Sequence, residues 1–113
     1  MKIINATPHK LNVYNKDNKL ITFEKSEYLA RVSQITIRHY IIDNFIVNKY
    51  VFDEIVGLPE EKEGTIYIVS NMVSEANKRA QKPRRDLICP DTTPHGVIRD
   101  IENNIIGVNG FMD

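Results

Sequence analysis

The segment "EGTIYIVSNMVSEANKRAQKPRRDLICPDTTPH", Glu63–His95, decides the fold. It opens on "GTIYIVS", a strand pattern with apolar residues on both faces, as expected of a strand covered on both sides at the centre of a sheet. Ser70 ends that strand and supplies an N-cap for "NMVSEANKRAQK". Met72, Val73, Ala76 and Ala80 fall on one helical face, and Glu75 and Arg79 can pair across one turn on the other. Pro83 closes the pattern, so the spacing predicts a helix over 70–82. "RDLIC" is a second short strand, and "PDTTPH" is a polar turn.

Outward from this unit the chain reads as β structure. "KIIN" is a short strand that Pro8 interrupts. "KLNVYNKDNKLITFEK" is a hairpin turning at Asn15–Asn18, with Leu11, Val13, Leu20 and Ile21 facing inward. "YLARVSQITIRHYIID" alternates and is rich in β-branched residues, with a break or bulge near Ser33 and Gln34. "NFIVNKYVFDEIVGLP" carries one or two more strands and stops at Gly57 and Pro59. "GVIRDIENNIIGVNGF" is a final hairpin around Glu102–Asn104. The expected fold is α+β and mainly β: about seven or eight strands and one principal helix in a single domain, residues 1–113. The tripeptide "TPH" occurs at Thr7–His9 and Thr93–His95 with flanks that do not match, which argues against an internal repeat.

Composition narrows the function. The 113 residues carry 15 basic and 15 acidic side chains. With no net charge, no global field favours nucleic acid or a membrane surface. The apolar runs are too short for a membrane span, and the N-terminus lacks the apolar core of a secretory signal. The single cysteine, Cys89, permits neither an internal disulfide nor a cysteine zinc cluster, and a reducing cytoplasm is the expected compartment. Cys89 lies in an apolar strand, where a free thiol acts as a small hydrophobe. His9, His39 and His95 have no metal-ligand spacing, so neither a metal nor another cofactor is expected. No phosphate loop, serine elbow or close carboxylate pair is visible.

One constellation points to a ligand. A helix start offers unpaired N–H groups to an anion, which places Ser70 and Asn71 in a candidate site. Arg84 and Arg85 follow the helix, and an arginine fork binds phosphate bidentately. Thr92, Thr93 and His95 can fold back toward the same ligand. Strand alternation sends Arg84 and Arg85 in opposite directions, so one faces the pocket and the other pairs with Asp86 or Glu75. The structural alternative is that both arginines are solvated or paired with acids. The apolar middle, Ile41–Val56, is more than so small a chain can bury, which points to a homo-oligomer.

The runs "TPHKLNVY", "ARV", "GLPEEKEGTIYIVSNMVSEA", "RRDLICPDT" and "NNIIGVNGF" resemble a family of small bacteriophage and prophage proteins. "EGTIYIVS" and "RRDL–P" form the core of the resemblance, and the middle of the chain departs most from it. The resemblance implies a viral accessory protein in a bacterial host and carries over no catalytic residue. Two readings follow. One is a non-enzymatic protein that sequesters a phosphorylated small ligand, such as a nucleotide immune signal, as a counter-defence. The other is an inhibitor of a host defence effector or a virion component, with the apolar middle as its working surface.

Overall fold

A computed structural model describes residues 1–113. In chain order the elements are β1 (Lys2–Asn5), β2 (Leu11–Tyr14), β3 (Leu20–Phe23), β4 (Gln34–Ile42), β5 (Phe45–Phe52), β6 (Thr65–Ile68), α1 (Asn71–Lys78), β7 (Leu87–Pro90), β8 (Val97–Arg99), β9 (Ile105–Val108) and β10 (Phe111–Met112). The protein is mainly β, with one short helix. The strands form a sheet ordered β1-β6-β7-β10, a second ordered β3-β2-β9-β8, and a separate two-stranded β4-β5 hairpin.

The "GTIYIVS" pattern has the expected outcome: β6 is an inner strand, parallel to β1 on one side and to β7 on the other. Tyr67, Ile68 and Val69 are the largest fully buried side chains. Ala6, Ala30, Tyr67, Val69, Val73 and Leu87 form the core cluster, with Ile4, Tyr28, Val32, Ile55 and Leu58 packed against it. A fully buried side chain of the Val or Ile class contributes about 1.5–3 kcal/mol. Tyr28 meets Tyr67 edge-on, with ring centroids 5.8 Å apart. The connection from β6 through α1 to β7 is a βαβ crossover, which orients both strand ends and the helix start toward one edge of the sheet.

The turns follow the residues that allow them. Asn18 and Asn103 take left-handed backbone at the two expected hairpin turns, and Asp43 and Asn44 do so consecutively between β4 and β5. Two successive positive φ values are the signature of a tight hairpin whose twist matches its strands. The register of that hairpin shifts between Thr36 and Arg38, close to the break expected at Ser33–Gln34.

Three expectations are corrected. There are ten strands, because short pieces such as Phe111–Met112 pair where a two-residue run carries no legible pattern. The helix stops at Lys78 rather than near 82. The cause is Asn77: its Nδ2 donates to the Arg84 carbonyl at 2.9 Å and its Oδ1 accepts from the Arg84 N–H at 2.8 Å, which turns the chain back. The buried helix face is therefore Val73, Ser74, Ala76 and Asn77, while Met72 and Ala80 are exposed. Leu20 and Ile21 are also exposed, because β3 is an edge strand of its sheet. The Glu75–Arg79 pair forms at 3.4 Å on the exposed helix face.

Candidate functional site

Because β1, β6 and β7 run parallel, their C-terminal ends lie along one edge of the sheet. In open sheets with parallel strands, ligands bind at such edges, where the following loops diverge. Here β1 runs into Thr7-Pro8-His9, β6 into Ser70-Asn71, and β7 into Asp91-Thr92. The Ser70 hydroxyl accepts from the Val73 N–H at 3.2 Å, the expected N-cap. Asn71 Nδ2 donates to Thr92 Oγ1 at 3.0 Å, so the structure joins three of the residues singled out in sequence: Ser70, Asn71 and Thr92.

Two adjoining clefts open at this edge. One, about 440 Å³, is lined by Thr7, Pro8, His9, Ser70, Asn71 and Thr92, among others. The other, about 360 Å³, shares Thr7, Pro8, Ser70 and Met72 with it and extends along Ala30, Arg31 and Ser33. Arg31 is the cation that sequence reasoning missed. Its N–H and carbonyl both bond to Val56 at 2.9 Å, which fixes the backbone. The chain's two ion pairs, Glu75–Arg79 and Arg84–Asp86, leave the exposed Arg31 guanidinium without an acid. The legible signal was its place in "ARV", a short apolar segment with one charge.

The repeated "TPH" is a repeated structure. After β1, the Thr7 N–H and hydroxyl both donate to Asn5 Oδ1, at 2.9 and 2.7 Å. After β7, the Thr93 N–H and hydroxyl both donate to Asp91 Oδ1, at 3.0 and 2.6 Å. The two histidine carbonyls are also held alike: Asn5 Nδ2 donates to His9 O at 2.8 Å and Asn109 Nδ2 to His95 O at 2.9 Å. The matching unit is five residues, "NATPH" and "DTTPH", with an Asn or Asp two positions before the Thr. It follows both strands that flank β6. Both imidazoles are exposed.

The hydrogen bonds from Thr93 hold the Asp91 carboxyl below its ordinary range, with a smaller contribution from His95. A depressed carboxylate stabilises the folded turn at pH above the unfolded value, and that stabilisation is lost as pH falls through the folded value. The 91–96 turn is therefore expected to persist through the usual carboxylate titration and to open only at lower pH. The Thr93 amide resonance in a pH titration reports this; a midpoint at the ordinary Asp value would contradict it.

Arg84 and Arg85 do not join this edge. They precede β7, at the opposite end of the strand from Thr92, so the single anion site expected from sequence is split in two. Arg84 Nε and Nη2 donate to Asp86 Oδ1 and Oδ2 at 2.9 and 2.8 Å, and the guanidinium lies 5.9 Å from the Tyr67 ring centroid. That hydrogen bond is the leading cause of its raised pKa. Arg84 is thus bound into the structure. Arg85 is exposed and lines a separate cleft of about 490 Å³ with Asn77, Lys78 and Asp113. Thr93 is committed to Asp91. Cys89 is buried in β7. No group of three or more His, Cys, Asp and Glu side chains is placed to hold a metal ion, and no helix is long and apolar enough to cross a membrane.

No family model, curated protein or solved structure matches the chain.

Proposed function

We propose that the protein binds a small phosphorylated ligand, of nucleotide size, in the double cleft at the C-terminal ends of β1, β6 and β7. The observation that carries this reading is the free Arg31 guanidinium in a cleft that also contains the Ser70 helix start. The N–H groups of a first helical turn and an arginine fork favour the same kind of ligand, a phosphate or carboxylate. The clefts are of the size that small-molecule sites occupy. Thr92 keeps its own hydroxyl proton for the ligand while its oxygen accepts from Asn71. The Thr7 hydroxyl donates within its own turn, so it shapes the site, and Ser70 caps the helix through its oxygen. Arg84 is excluded from the role by its pairing with Asp86. Sequestration of a nucleotide signal in an infected bacterium is the biological use that fits the phage-family resemblance and this chemistry together.

The test is calorimetric titration of the full chain with inorganic pyrophosphate and with nucleoside mono-, di- and triphosphates. Arg31→Ala is expected to weaken binding at least tenfold, the equivalent of a charged hydrogen bond of about 1.5–3 kcal/mol. Its melting temperature should stay near the parent's, because only the exposed side chain is removed. Arg85→Ala should bind as the parent does. Absence of heat with every phosphate probe, or equal affinity for the Arg31 variant, overturns the reading.

A further inference from the structure

The β4–β5 hairpin stands apart from both sheets. Its strands, nine and eight residues long, are paired almost wholly with each other. Only its base touches the body: Phe52 lies under the Arg79 guanidinium, 5.3 Å from ring centroid to Cζ, with Tyr50 edge-on to Phe52 at 5.7 Å. At about 3.3 Å per residue the arm reaches some 28 Å. An isolated two-stranded hairpin is marginal in water.

The register sorts its side chains. One face carries Ile35, Tyr40, Ile42, Phe45, Val47 and Val51, with Arg38 and Lys49 directly opposite each other in the middle. Ile42 is 56 % and Phe45 73 % exposed. Like charges opposite one another destabilise a strand pair unless something acidic lies over them.

The overall dimensions say how much surface is in want of a cover. A compact monomer of 13.0 kDa exposes about 6,300 Å², whereas this chain exposes 8532 Å². The excess, about 2,200 Å², is on the order of what one subunit of an obligate homodimer buries. The radius of gyration is 16.6 Å, against about 13 Å for a compact chain of this length.

We propose that the arm packs on a second copy of this chain, its basic, apolar face lying across the partner's 53–63 segment in a reciprocal exchange. That segment, "DEIVGLPEEKE", carries five carboxylates and one lysine and is largely exposed, with Val56 as an exposed apolar contact. It begins directly after β5, so a two-fold axis near the arm's base brings each arm onto the other's acidic segment. Face-to-face pairing of two arms would instead set Arg38 and Lys49 against the same cations. The closed arrangement satisfies both arms at once.

The experiment is sedimentation equilibrium of the full chain from roughly 5 to 100 µM, with circular dichroism on each variant. The parent is expected at twice 13.0 kDa. Ile42→Asp with Phe45→Asp should run as a monomer with a parental β spectrum. Arg38→Glu with Lys49→Glu, which changes only exposed polar positions, should raise the dissociation constant at least tenfold. A parent that stays at 13.0 kDa across the range overturns the proposal, and so does one whose arm instead captures a different protein or a vesicle. Retention of the parental mass by both double variants overturns it as well.

Discussion

Arg84→Ala should lower the stability of the protein by about 3 kcal/mol, although adjacent Arg85→Ala stays within about 0.5 kcal/mol of the parent. The difference follows from what each leaves behind. Arg84 is bidentate on Asp86, whose side chain is 7 % exposed. Removing the guanidinium strands a buried carboxylate beside the Tyr67 ring and also removes the cation over it. Asp86→Ala should cost less, because the Arg84 side chain, at 21 % exposed, can turn to water once released. Arg85 has no acid partner and is exposed. In thermal unfolding, the Arg84 variant should melt roughly 10 °C below the parent. Equal melting temperatures for the two arginine variants would show that the ion pair contributes nothing to the core.

Gly57→Ala is the second large effect, again about 3 kcal/mol or more. Gly57 has φ +94°, and a Cβ there would overlap the Leu29 carbonyl oxygen, a backbone atom that cannot swing aside. The new residue would have to push the 29–31 segment away from the 55–57 segment. Those residues support Arg31 through its two bonds to Val56, so affinity for the proposed phosphate ligand should fall along with stability. Gly64 provides the control. It has φ +83° with open space around its Cβ position, so Gly64→Ala carries only backbone strain, about 1–2 kcal/mol. Chemical denaturation of the two variants separates strain from collision; equal midpoints would mean the collision relaxes at no cost.

The Gly57 effect depends on a contact with Leu29, far away in the chain, and contacts of that kind mark the limit of what is legible. Signals confined to one stretch carried through: the inner position of "GTIYIVS", the Ser70 cap, the Asn-rich turns at 15–18 and 102–104, and the Glu75–Arg79 pair. Arg84 does pair with Asp86, two residues on, and Arg85 is exposed, although 84–86 lie just outside β7. The helix end was misread because Asn77 reaches seven residues forward, and propensity does not register such a contact. The site was half legible. Ser70, Asn71 and Thr92 were visible as polar residues near a helix start, but Arg31 enters through a bridge to Val56 that no local pattern announces. The "TPH" repeat is hidden in the sequence because literal flank matching does not treat Asn and Asp as equivalent. Both present the same Oδ1 acceptor to a threonine two residues later.

The pairing of Val13 with Val108 in adjacent parallel strands β2 and β9 bears on how fast the chain folds. Nearly the whole chain lies between these partners, and β1 likewise waits for β6. The entropy of closing such loops has to be overcome before the contacts that reward it exist, so folding belongs in the slower, millisecond-to-second range. A nascent chain emerging from a ribosome holds β1 without β6, and β2 with β3 alone, until the later strands β6 and β9 are made. In that interval the β2–β3 and β4–β5 hairpins, each paired within itself, are the elements able to begin forming.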